Sequence, residues 1–230
     1  MINKIKPPKI NQVYKELINH NDIRIDEFYW LKDRENSDVI KYLNDENNYY
    51  ETKTAHTKDF QNSLFEEMKS RIKEDDSSVP YKYNGYWYIT KYENGKDYPV
   101  YTRKKESLGA QEELLFDCNE MAKGHSYFRL IGINISLDNN LVAFAVDTIG
   151  RRQYTLQVKD LKCDKILNDK VTNCTGASTW ANDNKTLFYT QKNKTTLRPE
   201  AIYKHTLGTT AANDVLVFEE KDDTFGVGIY

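Results

Sequence analysis

The feature that most narrows what this chain can fold into is an internal repeat. Ser136-Leu137-Asp138-Asn139-Asn140-Leu141-Val142-Ala143-Phe144 aligns with Ala181-Asn182-Asp183-Asn184-Lys185-Thr186-Leu187-Phe188-Tyr189, 45 residues further on. Further along each unit, the run from Tyr154 to Leu161 resembles the run from Ala201 to Leu207, with one residue of drift. Both units read strand, polar turn, strand, loop, strand, short turn, strand, because short apolar and β-branched runs are separated by Asn, Asp and Gly. A period of about 40–50 residues made of four short strands is the signature of a β-propeller blade. At that period Asp76 to Tyr230 holds roughly three blades, whereas known propellers have about four to eight.

The chain before Asp76 has a different texture. From Ser37 to Ile72 it contains no Gly and no Pro. Val39, Ile40 and Leu43, then Phe60, Leu64, Met68 and Ile72, recur at helical spacing. We expect a helical segment there, with Ser37 as N-cap and Asp75-Asp76-Ser77-Ser78-Val79-Pro80 beyond its end. The pattern leaves open whether the helix breaks near His56. Past Pro80, Tyr83-Asn84-Gly85-Tyr86 and Tyr92-Glu93-Asn94-Gly95-Lys96 place Asn-Gly between aromatic runs, so tight hairpins are expected at both. The expected fold is mainly β with an N-terminal helical segment, divided into residues 1–75 (arm and helices) and 76–230 (blades). Phe225 to Tyr230 reads as the opening strand of another blade, so we expect the sequence to be part of a longer protein.

Composition excludes several classes of function. Acidic (35) and basic (33) residues are interspersed for a net charge of −2, which favours neither nucleic acid nor a membrane surface. No apolar run approaches the ~20 residues of a membrane span, and the mean hydropathy is −0.79. No signal-peptide core follows the basic N-terminus. Cys118, Cys163 and Cys174 form no CxxC pair, so they are expected to be buried, inert thiols in a reducing cytoplasm, with no zinc site and no cofactor.

A second set of motifs lies in the arm. Arg24-Ile25-Asp26-Glu27-Phe28-Tyr29-Trp30-Leu31-Lys32-Asp33 and Tyr42-Leu43-Asn44-Asp45-Glu46-Asn47 are followed in order by Glu67-Met68, Arg71-Ile72, Asp75 to Pro80, and Gly95-Lys96-Asp97-Tyr98-Pro99-Val100-Tyr101. This ordered set resembles the N-terminal part of the prolyl oligopeptidase family of serine peptidases, in the oligopeptidase B (protease II) branch. The resemblance implies a seven-bladed propeller joined to an α/β-hydrolase domain on which the arm packs. It implies that the propeller admits only short peptides to a Ser/His/Asp triad, and that cleavage falls after Arg or Lys. No catalytic residue of that kind is assigned in this chain: Gly176-Ala177-Ser178-Thr179-Trp180 lacks the second glycine of a G-x-S-x-G elbow. The other reading is a non-catalytic β-propeller binding module, for which the Arg24 to Asp33 motif and its helices would have no use.

The remaining candidates are weaker. His20, His56, His125 and His205 stand beside no recognisable serine or acid elbow and read as structural or surface residues. Trp30 with Asp26 and Asp33 suggests either a ligand pocket or an anchor for the arm. Arg151 and Arg152 are candidates to line the propeller mouth and meet a peptide carboxylate, or simply exposed turn cations. Glu74-Asp75-Asp76 attracts a basic peptide or is merely solvated. The Asn-x-Ser/Thr sequons, Asn134 and Asn193 among them, carry no weight without a secretory signal.

Overall fold

The computed structural model describes residues 6–230, which form two compact units, one extending to Lys73 and one from Glu74 to Tyr230. The first unit opens with a hairpin of β1 (Lys15–Asn19) and β2 (Asp22–Asp26), turned by His20 and Asn21 in the left-handed region. A 3-10 turn, Tyr29–Lys32, precedes α1 (Ser37–Thr54) and α2 (Lys58–Ser70). The N-cap of α1 is Asn36, whose side chain accepts from the Asp38 amide at 2.9 Å, so Ser37 is the first helical residue rather than the cap. The helical run does break at His56, through a 3-10 turn at Ala55–Thr57. Hydroxyls of Thr52, Thr54 and Thr57 bond back to carbonyls in the preceding turn, a pattern that bends helices. Along α2 and just past it, Phe60, Leu64, Met68 and Ile72 form an exposed apolar stripe, Phe60 and Ile72 each being 69% exposed.

The second unit is mainly antiparallel strands paired in sequence order. β3 (Asp76–Ser77), β4 (Tyr81–Tyr83), β5 (Tyr86–Tyr92), β6 (Val100–Lys105) and β7 (Glu112–Asp117) form one sheet, with β3 and β4 both pairing with β5. The short α3 (Cys118–Met121) leads out of it. A seven-stranded sheet follows: β8 (Arg129–Ile135), β9 (Leu141–Asp147), β10 (Tyr154–Asp160), β11 (Lys165–Trp180), β12 (Thr186–Lys192), β13 (Pro199–Thr206) and β14 (Val215–Glu219).

Strand β11 serves two blades. Its residues from Lys165 to Cys174 pair with β10, and those from Cys174 to Trp180 pair with β12. The register breaks between Cys174 and Ser178, around Gly176 at φ +90°. The same break occurs in β8, between Ile131 and Asn134, around Gly132 at φ +66°. The sheet is therefore two four-stranded blades, and with the β4 to β7 blade the described residues hold three.

Backbone bonds recur with the sequence repeat. Ser136 N donates to Leu141 O, and Ala181 N to Thr186 O; Leu161 N donates to Asn140 O, and Leu207 N to Lys185 O. Between blades, side chains alternate along β9. Val142 and Phe144 join Leu115, Phe116 and Leu130 in one core, with the Phe116 and Phe144 rings 4.6 Å apart. Ala143 and Ala145 face the other way, into a core with Leu156, Val158, Leu187 and Tyr189. Both faces of β9 are covered, which explains its unbroken apolar run.

Two local expectations need correction. Asn84-Gly85 does make a tight two-residue hairpin, but Tyr92 to Lys96 opens a longer connection that runs to Pro99 before β6 begins. Phe225 to Tyr230 joins no ladder: a strand needs a partner along its length, whereas here the Val227 amide bonds Pro199 O at 3.0 Å, the Phe225 amide turns back to Asp222 O, and Phe225 O accepts from the Arg198 side chain.

Candidate functional site

The blades present two ends. At one, the turns between first and second strands are linked from blade to blade by asparagines with left-handed backbones, Asn84, Asn139 and Asn184. Asn84 Nδ2 donates to Leu137 O at 2.7 Å, and Asn139 Nδ2 donates to Asn84 O at 3.1 Å. Asn184 Oδ1 accepts from the Asp138 amide at 3.1 Å. Beside this ladder, between the first two blades, lies a polar cleft of about 440 Å³ lined in part by Tyr86, Arg103, Glu113, Asn140 and Lys162. Arg103 is 4% exposed: its Nε donates to Glu113 at 2.7 Å, its Nη1 donates to Asn139 O at 3.1 Å, and its guanidinium lies over the Tyr86 ring. A guanidinium held this way ties blades together.

At the opposite end, buried Asp147 shapes the β9–β10 loop by accepting from the amides of Ile149, Gly150 and Arg152. Asn193 does the same for the next blade, accepting from Thr195 and Thr196 at 2.9 Å. Arg151 and Arg152 are exposed on a loop thus made rigid, and Lys192 Nζ donates to Arg152 O at 2.5 Å. Burial pushes the Lys192 ammonium below its ordinary range. The geometry holds the backbone that carries these two arginines and assigns them no ligand.

The other candidates resolve into local roles. Ser178 is in strand β11 opposite Tyr189, and its carbonyl accepts from Asn134 Nδ2 at 2.6 Å. Trp30 Nε1 donates to Asn11 O at 3.1 Å, while Asp26 and Asp33 accept from the amides of Phe28 and Glu35, so these three residues shape the arm's own backbone. Glu74, Asp75 and Asp76 are exposed. His20 lies in the β1–β2 turn, His56 contacts Lys53 O, and His125 stacks near Phe128. His205 is buried between two carboxylates, so no hydroxyl nucleophile stands on either ring nitrogen. Cys118 and Cys174 are buried, but Cys163 is exposed, because it falls in the β10–β11 turn that Asp160 caps.

The sequence pattern missed Arg103, Lys159 and the partners of His205. The available signal was the repeat itself, which places Lys159 and His205 at matching positions 46 residues apart. Among the described residues no group of three or more His, Cys, Asp or Glu is arranged to hold a metal ion, and no helix is long and apolar enough to cross a membrane.

Successive four-stranded antiparallel blades define this chain as β-propeller. Residues 8–230 match the family model for the prolyl oligopeptidase N-terminal β-propeller domain, and the chain belongs to that family. It is 41% identical over 227 residues to dipeptidyl aminopeptidase BI of Pseudoxanthomonas mexicana, covering 91% of this chain and 31% of that protein. It is 33% identical over 213 residues to protease 2 of Moraxella lacunata, covering 90% and 31%. Among solved structures, oligopeptidase B from Leishmania major superposes with a TM-score of 0.89 at 29% identity, covering 98% of this chain and 34% of that one. The Trypanosoma brucei enzyme with covalently bound antipain gives 0.85 at 25%, covering 97% and 34%. The chain spans about a third of the length of these relatives.

Proposed function

We propose that this chain is the arm and first three blades of a seven-bladed propeller in a cytoplasmic serine oligopeptidase that hydrolyses short peptides after Arg or Lys. Residues 1–75 pack on an α/β-hydrolase domain encoded elsewhere in the protein, and residues 76–230 help to gate the entry of peptides. The chemistry belongs to that other domain: a serine activated by histidine attacks the scissile carbonyl, and an oxyanion hole holds the charge that develops. This chain supplies exclusion and docking.

The observation that carries this reading is the unbroken family match from residue 8 to residue 230, which takes in arm and blades together. A free-standing binding propeller has no need of that arm. The exposed stripe of Phe60, Leu64, Met68 and Ile72 supports docking, since apolar side chains at this spacing bury against another surface. The mixed charge supports neither nucleic acid nor membrane as partner.

A second reading of the substrate comes from the relative named dipeptidyl aminopeptidase, which favours release of dipeptides from a free amino terminus. The test is hydrolysis by the intact protein of an amino-blocked arginyl amide beside a dipeptidyl amide with a free amine. Turnover of the blocked substrate is expected. Turnover of the free dipeptide alone establishes the second reading, and turnover of neither defeats the peptidase proposal.

A further inference from the structure

Lys159 and His205 occupy one slot in successive blades. Lys159 pairs across the ladder with Val142, and His205 with Leu187, the equivalent fully buried residue of the next blade. Each reaches back to the outer strand of the preceding blade. Lys159 Nζ donates to Leu115 O on β7 at 2.8 Å, and His205 Nε2 lies 3.0 Å from Asp169 Oδ1, on the part of β11 that completes the second blade. Each also meets an acid placed one residue before its own blade's outer strand, Asp164 at 2.5 Å from Lys159 and Asp214 at 2.6 Å from His205.

The surroundings of the histidine differ in burial. The side chain of Asp164 is 79% exposed, whereas those of His205 and Asp214 are each 1% exposed. Neutral imidazole has one donor and one acceptor nitrogen, while ionised carboxylates only accept, so a ring flanked by two carboxylates is satisfied only with both nitrogens protonated. The groups facing the ring are Asp169 from β11 and Asp214 from the loop before β14. Behind them, the Gly208 amide donates to Asp169 at 2.6 Å and the Tyr189 hydroxyl to Asp214 at 2.8 Å. Both act as donors toward the carboxylates, as ionised acids require.

We propose that His205 is a cationic staple between the second and third blades, an imidazolium in the slot that Lys159 fills between the first and second. This inference does not depend on the peptidase reading.

The experiment uses the intact protein labelled with ¹⁵N-histidine, with His205→Gln identifying the resonance. At neutral pH the His205 ring should show two N–H groups. In parallel, denaturant unfolding should place His205→Gln roughly 100-fold or more toward the unfolded state, as expected when buried carboxylates lose their counter-charge. His205→Lys should recover most of that loss. A ring with one unprotonated nitrogen, or a lysine variant no more stable than the glutamine one, overturns the proposal.

Discussion

Gly132 and Gly176, on the first strands of successive blades, approach so closely that the Gly176 carbonyl oxygen occupies the space a Cβ on Gly132 would need. Both lie at positive φ, and both sit where the ladder register breaks. The contact brings two backbones together at the point where one blade gives way to the next, and only glycine permits it.

Gly132→Ala should therefore cost on the order of 3 kcal/mol, combining a backbone collision with a left-handed conformation. Gly85, also at positive φ, has open space around it, so Gly85→Ala should cost only about 1–2 kcal/mol. Urea unfolding of the two variants checks this. Equal midpoints would contradict the close approach.

Asp138 and Asp183, one repeat apart, shape equivalent turns and should act together in acid. Burial raises the Asp138 carboxyl, but hydrogen bonds from the Ser136 hydroxyl and from the side chain and amide of Asn140 outweigh it, so its value lies below the ordinary 3.8. At Asp183 the Lys185 amide, then the hydroxyl and amide of Thr186, have the same net effect. For a depressed carboxylate, the stabilisation is full above the ordinary value and is lost as pH falls through the folded one. Asp138→Asn and Asp183→Asn should each flatten the fall in stability between roughly pH 5 and pH 2. Thermal melting across that range is the measurement, and unchanged acid limbs would count against these bonds.

The thiols should separate by burial. Burial first and Asp117 second push Cys118 up to about 12, and burial also raises Cys174, whose Sγ donates to Tyr154 O at 3.3 Å. Only the thiolate reacts, so Cys163 should be modified rapidly by an alkylating reagent while Cys118 and Cys174 wait for unfolding. Mass mapping of native and denatured protein distinguishes these sites; rapid native labelling at Cys174 would contradict the packing around it.

The blades were legible because the same chemistry writes each inner turn twice, Asp138-Asn139 and then Asp183-Asn184. The first blade was harder to see, since its inner turn is the two-residue Asn84-Gly85 and its aromatic strands share little with Val142 to Phe144. The repeat sets Lys159 and His205 at matching positions, but the partners that make them seams lie outside any local pattern. Lys159 finds Leu115 across 44 residues and His205 finds Asp169 across 36, separations set by how blades stack rather than by local pattern. The ladders then place the two opposite Val142 and Leu187. As for a reaction site, the histidine, serine and arginine candidates resolve into turns, strands and seams, and only His205 among them is buried, between two carboxylates.

We propose that this chain excludes and docks while a hydrolase domain elsewhere in the same protein cleaves. The most direct measurement is turnover of an arginyl amide reporter by the intact protein and by the 230-residue chain alone. The intact protein should hydrolyse the reporter, with turnover abolished by a serine-directed covalent inhibitor, and the chain alone should show none. Inhibitor-sensitive turnover by the purified 230-residue chain would contradict it.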